Sequence, residues 1–362
     1  MPLTFLDDFR SAPHVQRMLQ ELDGHTGLEL KIMEVCGTHT MAISRHGIRQ
    51  AVPEGITLIS GPGCPVCVTA NADIDRFIET ALIPGVIAAS FGDMLRVPGT
   101  RMGLAEARSH GADVRIVYSP LDALAMARDN PGRDVVFFGV GFETTAPTVA
   151  ATVMAAREQG LDNFYIQPVH KLVPPALEAL CALPRLAIDA FLCPGHVSAI
   201  IGPGAYEAIA SEHEVPCVIA GFEPVDILQA LSMLAVQVES GRADVELQYT
   251  RGVRAAGNPE AMALMYQVFE TADAEWRGLG TIPGSGLVLR EEYSGFDAGV
   301  HYQVDTSYSR EPRGCICGEI LTGLKTPRQC GLFRKACDPD HPVGPCMVSS
   351  EGTCAAYFQY ED

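Results

Sequence analysis

Short apolar runs of strand length alternate with longer amphipathic stretches along most of this chain. Runs at 28–35, 56–59, 86–90 and 114–118 read as buried strands. Between them, residues 9–22 place Val15, Met18, Leu19 and Leu22 at helical spacing, and helices are expected from 41, over 71–82 and over 103–111. The pattern restarts after the Asn130-Pro131-Gly132 break. Strands are then expected at 135–140, 164–167, 190–193 and 218–220, with helices over 147–159, 174–183 and 225–238. After Gly241 the texture changes. Residues 259–271 read as a helix, 278–286 as a glycine-rich loop, 291–297 as irregular or helical, and periodicity is lost from Glu311.

Strand–helix alternation is the signature of parallel sheets covered by helices. The expected fold class is α/β: two Rossmann-like parallel-sheet domains facing across a cleft, followed by a loop-rich, cysteine-rich C-terminal unit. The boundaries predicted from pattern alone are 1–130, 131–245 and 246–362. In open α/β sheets, ligands bind beyond the carboxyl ends of the strands. Cys36, Cys64, Cys67, Asp93, Glu143, His170, His196 and Glu223 all follow expected strand ends. Gly-Phe-Glu occurs twice, at 141–143 and 221–223, too short a recurrence to define a repeat.

Charge narrows the partners. The net charge of −18 is spread along the chain, which argues against nucleic acid or an anionic membrane surface as partner. The N-terminal ten residues lack the apolar core of a secretory signal, and no run is long enough to span a bilayer. A cytoplasmic protein is expected. Twelve cysteines in a reducing compartment then point to metal ligation or redox chemistry rather than structural disulfides.

Six of those cysteines lie between Cys315 and Cys354. Cys315, Cys330, Cys337 and Cys354 are spaced C-x14-C-x6-C-x16-C, a set that suits an iron–sulfur cluster. Zinc is the rival, although the tight C-x2-C knuckles of zinc ribbons are missing from this segment. Cys317 and Cys346 remain as spare thiols or alternative ligands. Upstream, Gly61-Pro-Gly-Cys64-Pro-Val-Cys67 presents a C-x2-C pair among glycines and prolines, a redox dithiol or half a metal site. Cys36 and His39 form a C-x2-H at a strand–helix turn, either a soft-metal thiolate with a possible histidine ligand or a Cys-His nucleophile pair. His196 and His170 are candidate supporting donors. Glu143 and Glu223 could relay protons, or else lie at helix N-termini, where a carboxylate is stabilised by the helix dipole. Neither a Gly-x-Gly-x-x-Gly nor a Walker P-loop is present, so nucleotide binding is not expected.

Taken together, Cys36-Gly-Thr-His39, Gly61-Pro-Gly-Cys64-Pro-Val-Cys67, Gly141-Phe-Glu-Thr-Thr, Pro194-Gly-His196-Val-Ser and the terminal cysteine run resemble the HypD family. These are iron–sulfur maturation factors of [NiFe]-hydrogenases, and the resemblance covers essentially the whole chain. It implies two similar α/β domains and a third that holds a [4Fe-4S] cluster through Cys315, Cys330, Cys337 and Cys354. It implies a scaffold, working with a HypC-type small chaperone, on which the Fe(CN)2CO group is assembled before transfer to the hydrogenase large subunit. A HypE-type partner would supply cyanide as a thiocyanate. Cys36 would bind the iron, and Cys64 and Cys67 would be the redox pair. Whether such a scaffold counts as an enzyme is left open by the sequence. The reading from another functional class is a zinc-stabilised cytosolic thiol–disulfide oxidoreductase.

Overall fold

Residues 8–25, 27–183 and 188–361 are described in the computed structural model. In chain order the strands are β1 (Leu30–Glu34), β2 (Ile56–Ser60), β3 (Val86–Ser90), β4 (Asp113–Ile116), β5 (Asp134–Gly139), β6 (Phe164–Pro168), β7 (Ala190–Pro194), β8 (Cys217–Ala220) and β9 (Val245–Leu247), and then β10 (Phe269–Trp276) and β11 (Gly280–Leu289). A five-stranded sheet has the order β2-β1-β7-β8-β9 and a four-stranded sheet the order β4-β3-β5-β6. Neighbours in both sheets are parallel. β10 and β11 form an antiparallel hairpin. The α/β class with parallel sheets and a cysteine-rich end is therefore as expected.

The division at residue 130 needs correction. It falls inside the four-stranded sheet, between β4 and β5, which both flank β3. The five-stranded sheet takes β1 and β2 from the start of the chain and β7 to β9 from much later. The chain leaves one sheet after β2, builds the whole of the other, and returns. Hydrophobic periodicity reports strands in order, but pairing is decided by long-range packing, so the crossover left no mark on the pattern.

Several element boundaries also move. The helix expected from 41 begins earlier, at Gly37, and runs over Gly37–Arg45, directly after Cys36. The helix expected to reach 271 is Pro259–Val268 and gives way at Phe269 to β10. The expected loop at 278–286 is mostly β11. Its glycines and a register shift between Ala272 and Ala274 hide an alternation that the sheet nevertheless uses. The hairpin, assigned from the sequence to the C-terminal unit, packs Phe269, Leu287 and Leu289 with Val135 and Phe137 of β5.

The central core lies between the sheets. It joins Met33 and Val35 at β1, Val136 and Phe138 of β5, and Phe191 and Cys193 of β7. Phe77 stacks on Phe138 with ring centroids 4.4 Å apart. Cys64, Cys67, Cys317 and Cys346 belong to this same core. The C-terminal segment thus sends two of its thiols inward, to meet the dithiol loop where both sheets contribute walls. No helix of the described residues is long and apolar enough to cross a membrane.

Candidate metal and thiol centre

Cys36 is the residue at which β1 becomes a helix. Its backbone is extended (φ −148°, ψ 123°), and it stands immediately before the Gly37–Arg45 helix. The Cys36 amide donates to Glu34 Oε2 at 3.3 Å, and Thr40 Oγ1 donates to Glu34 Oε1 at 2.6 Å. The thiol is 7% exposed. Burial pushes it up to about 12, and the carboxylates of Glu351 and Glu34 add to that, while the amides of His39 and Thr38 oppose it. Two carboxylates beside one buried sulfur make a place that a cation would relieve.

The dithiol loop is built against this turn. β2 ends at Ser60, and Cys64 precedes the short Pro65–Val68 helix, with the Cys67 amide donating to Cys64 Sγ at 3.3 Å. Gly63 has no room for a side chain. A Cβ there would lie 2.2 Å from the Cys36 amide nitrogen, and Gly37 donates its amide to Gly63 O at 2.8 Å. Cys36 and the dithiol loop are therefore in backbone contact. At Cys67, burial dominates and holds the thiol well above its usual range.

From Cys67 the sulfur continues inward. Cys67 interacts with both Cys64 and Cys346, Cys346 Sγ lies 3.0 Å from Cys317 Sγ, and Cys317 interacts with Cys315. Cys315, Cys317, Cys330, Cys337, Cys346 and Cys354 line one partly open cavity, with Leu332, Phe333 and Met347 also in its walls. All twelve cysteines are free thiols. Val343 donates its amide to Cys337 Sγ at 3.4 Å. A Cβ at Gly344 would come 2.8 Å from Cys315 Sγ, so this glycine keeps space open beside a candidate ligand. Among the described residues, no three His, Cys, Asp or Glu side chains converge on a point that could hold one ion. The thiols surround a volume instead.

The segment from Pro345 to Cys354 ties these parts together. Cys346 meets Cys67 and Cys317, Cys354 faces the cavity, and Glu351 accepts a hydrogen bond from Thr38 Oγ1 at 2.6 Å. A Cβ on Gly37 would strike the Glu351 side chain. Glu351 is not among the residues that the sequence singles out. The only signal for it was an acidic residue set among small ones, three positions before Cys354. For Cys317 and Cys346 the sequence offers only spare thiols or alternative ligands, because spacing says nothing about which distant thiol faces which.

The remaining candidates are dispersed. His196 is exposed and stacks on Phe222 with centroids 4.0 Å apart, within reach of the Glu351 charge. His39 also packs on Phe222, with centroids 4.9 Å apart, and is fully buried with Nε2 bonded to Gly221 O at 2.9 Å. Burial lowers its pKa to about 4, which leaves a neutral ring whose Nδ1 has no partner. Glu143 Oε1 accepts the Val173 amide at 2.8 Å, at the first residue of the Val173–Cys181 helix. Glu223 caps the Pro224–Glu239 helix and pairs with Arg10. Both glutamates thus sit at helix N-termini. His170 is enclosed in the other sheet, against Gly139 and Gly141, with both ring nitrogens unpartnered. Asp93 lies in the Gly92–Arg96 turn and is exposed.

Known proteins resemble this chain over nearly its whole length. The HypD family model, described as the hydrogenase formation hypA family, matches residues 13–361. The hydrogenase maturation factor HypD of Azotobacter vinelandii is 46% identical, over 99% of this chain and 97% of its own length. That of Escherichia coli K12 is also 46% identical, over 99% and 98%, and that of Rhodobacter capsulatus 46%, over 96% and 93%. An oxidoreductase unrelated to hydrogenases is thereby set aside. With the family model matching residues 13–361 and relatives 46% identical nearly end to end, the chain belongs to the HypD family of hydrogenase maturation factors.

Proposed function

We propose that this chain is the cytoplasmic scaffold on which the Fe(CN)2CO group of a [NiFe]-hydrogenase is assembled, with a HypC-type small chaperone and a HypE-type cyanide donor. The observation that carries this reading is the line of neighbouring sulfurs running from Cys64 through Cys67, Cys346 and Cys317 to the cysteine-lined cavity.

Cys36 holds the iron cargo, sharing it with a cysteine of the chaperone, and passes it on to the hydrogenase large subunit. The turn is suited to that role. The sulfur is shielded from water, and Glu34 and Glu351 balance the cation's charge. His196 and Phe222 form the open side, where a partner would approach.

Cyanide arrives as a thiocyanate and leaves as an iron ligand, which requires reduction. The Cys64–Cys67 dithiol supplies two electrons and becomes a disulfide. The sulfur–carbon bond of the thiocyanate breaks, giving cyanide and the donor's thiol. Of the two protons released, one goes to that thiol and one to the surroundings. Cys346 then attacks Cys67, and Cys317 attacks Cys346 in turn, so that Cys64 and Cys67 are again thiols and Cys317–Cys346 is the disulfide. Their order in space matches this exchange.

Cys315, Cys330, Cys337 and Cys354 would hold a [4Fe-4S] cluster, whose chemistry when bound is the supply of single electrons, two of which with two protons would return the neighbouring Cys317–Cys346 disulfide to thiols. Thiols around a volume suit a polynuclear centre, because a single zinc draws its sulfurs to about 2.3 Å. Infrared spectra of the protein purified anaerobically with its small chaperone, together with iron and sulfide analysis, test the proposal. Cyanide and CO stretches with iron and sulfide present are expected. Zinc without sulfide, and no diatomic bands, would overturn it.

A further inference from the structure

Arg277 is buried beside the thiols with part of its charge unused. It begins the turn of the β10–β11 hairpin and is 2% exposed. Its amide donates to Val68 O at 2.9 Å and its Nε to Thr69 O at 3.1 Å. Nη1 pairs with Glu311 Oε2 at 2.6 Å, and Nη2 has no partner among the described residues. A buried guanidinium N–H left unpaired is costly, so its retention calls for a ligand.

The surroundings say what that ligand is. Arg277 is followed by Gly278, where a Cβ would fall 2.1 Å from the Cα of Gly318. Gly318 follows Cys317, so the hairpin turn is pressed against the thiol segment. Arg277 and Cys317 are each the residue immediately before a glycine of this contact. The cavity that these thiols help to line is apolar apart from sulfur. Filled by a thiolate-ligated cluster, it would carry net negative charge in a low-dielectric site. Glu311, the arginine's one anionic partner among the described residues, is half exposed and offsets only part of the guanidinium charge.

We propose that Arg277 is the fixed counter-charge of this cavity: a positioning residue whose free Nη2 serves the anionic iron–sulfur cluster and makes that cluster easier to reduce. The inference rests on the cluster reading above. A cation held close to a cluster favours the more negative, reduced state, and burial keeps the interaction from being screened. The bonds to Val68 and Thr69 also fasten the hairpin to the dithiol loop, but a fastener alone would change stability and leave the potential where it was.

The test is a redox titration of the anaerobic, cluster-loaded full chain, followed by electron paramagnetic resonance and visible absorbance, with iron and sulfide counted in each sample. Arg277→Gln is expected to shift the midpoint to more negative potential at full iron and sulfide content. Arg277→Lys is expected to restore most of the native value, and Glu311→Gln to move it the opposite way. An unchanged midpoint in Arg277→Gln overturns the proposal. Should Arg277→Gln fail to hold iron, Glu311→Gln decides by the sign of its shift, and no shift there overturns the proposal. Native protein with zinc and no sulfide would remove the cluster reading itself, and the inference with it.

Discussion

The sulfur atoms of Cys317 and Cys346 lie 3.0 Å apart, buried in the core that the two sheets share. Cys317 begins a short helix after Cys315, and Cys346 belongs to the turn that reaches Cys67. This pair is the junction between the cysteine-lined cavity and the dithiol loop.

Removing one sulfur of that junction should interrupt exchange without emptying the cavity. In Cys346→Ser, the cluster absorbance is expected to persist. Reduction of the Cys64–Cys67 disulfide by a low-potential viologen should slow by more than tenfold, about 1.4 kcal/mol of barrier. Alkylation followed by mass spectrometry measures it. A native rate in the variant would mean that electrons reach Cys67 by another route.

Cys36 stands apart from that line, its thiol facing the carboxylates of Glu34 and Glu351. Cys36→Ala is therefore expected to keep the full visible spectrum and to lose the cyanide and CO stretches from the complex with the chaperone. Persistence of those bands would remove Cys36 as the holder of the iron.

Gly63 should tolerate no side chain. In Gly63→Ala the new Cβ meets the backbone of Cys36, which cannot swing aside as a flexible side chain would. Overpacking of this kind costs about 1–3 kcal/mol, and here it would push the dithiol loop away from Cys36. A lowered Tm together with weakened diatomic bands is expected. An unchanged Tm would show that the contact between the two loops is looser than the geometry indicates.

Glu143 predicts a pH dependence. Burial raises its carboxyl from 4.5 to about 7, with only the Val173 amide and its own amide opposing. The folded chain then keeps a proton that the unfolded chain has released. The stabilisation linked to that proton is present below pH 4.5 and is lost as pH rises through about 7. The loss is at most about 3 kcal/mol. Glu143→Gln is expected to flatten part of this fall, Glu34 having the same trend and the same raised value. Denaturant titrations across that range measure it, and identical slopes in native and variant protein would refute the assignment.

The sequence by itself determined β1 to β8 to within about two residues, because each is an apolar run closed by glycine, proline or a polar turn, but not β9, β10 or β11. It also determined which chemistry was on offer, since glycine-flanked cysteines at strand ends have few other uses. The cysteine motifs were legible for the same reason: their spacing is local. Tertiary structure decided the rest. β1 and β2 pair with β7 to β9 rather than with β3 and β4, a choice made by packing across long stretches of chain. The junction of Cys317 with Cys346, the approach of Glu351 to Cys36, and the seat of Arg277 beside the thiols each join residues far apart in the chain or on separate elements. No periodicity records such meetings, because they arise only when the sheets close on one core.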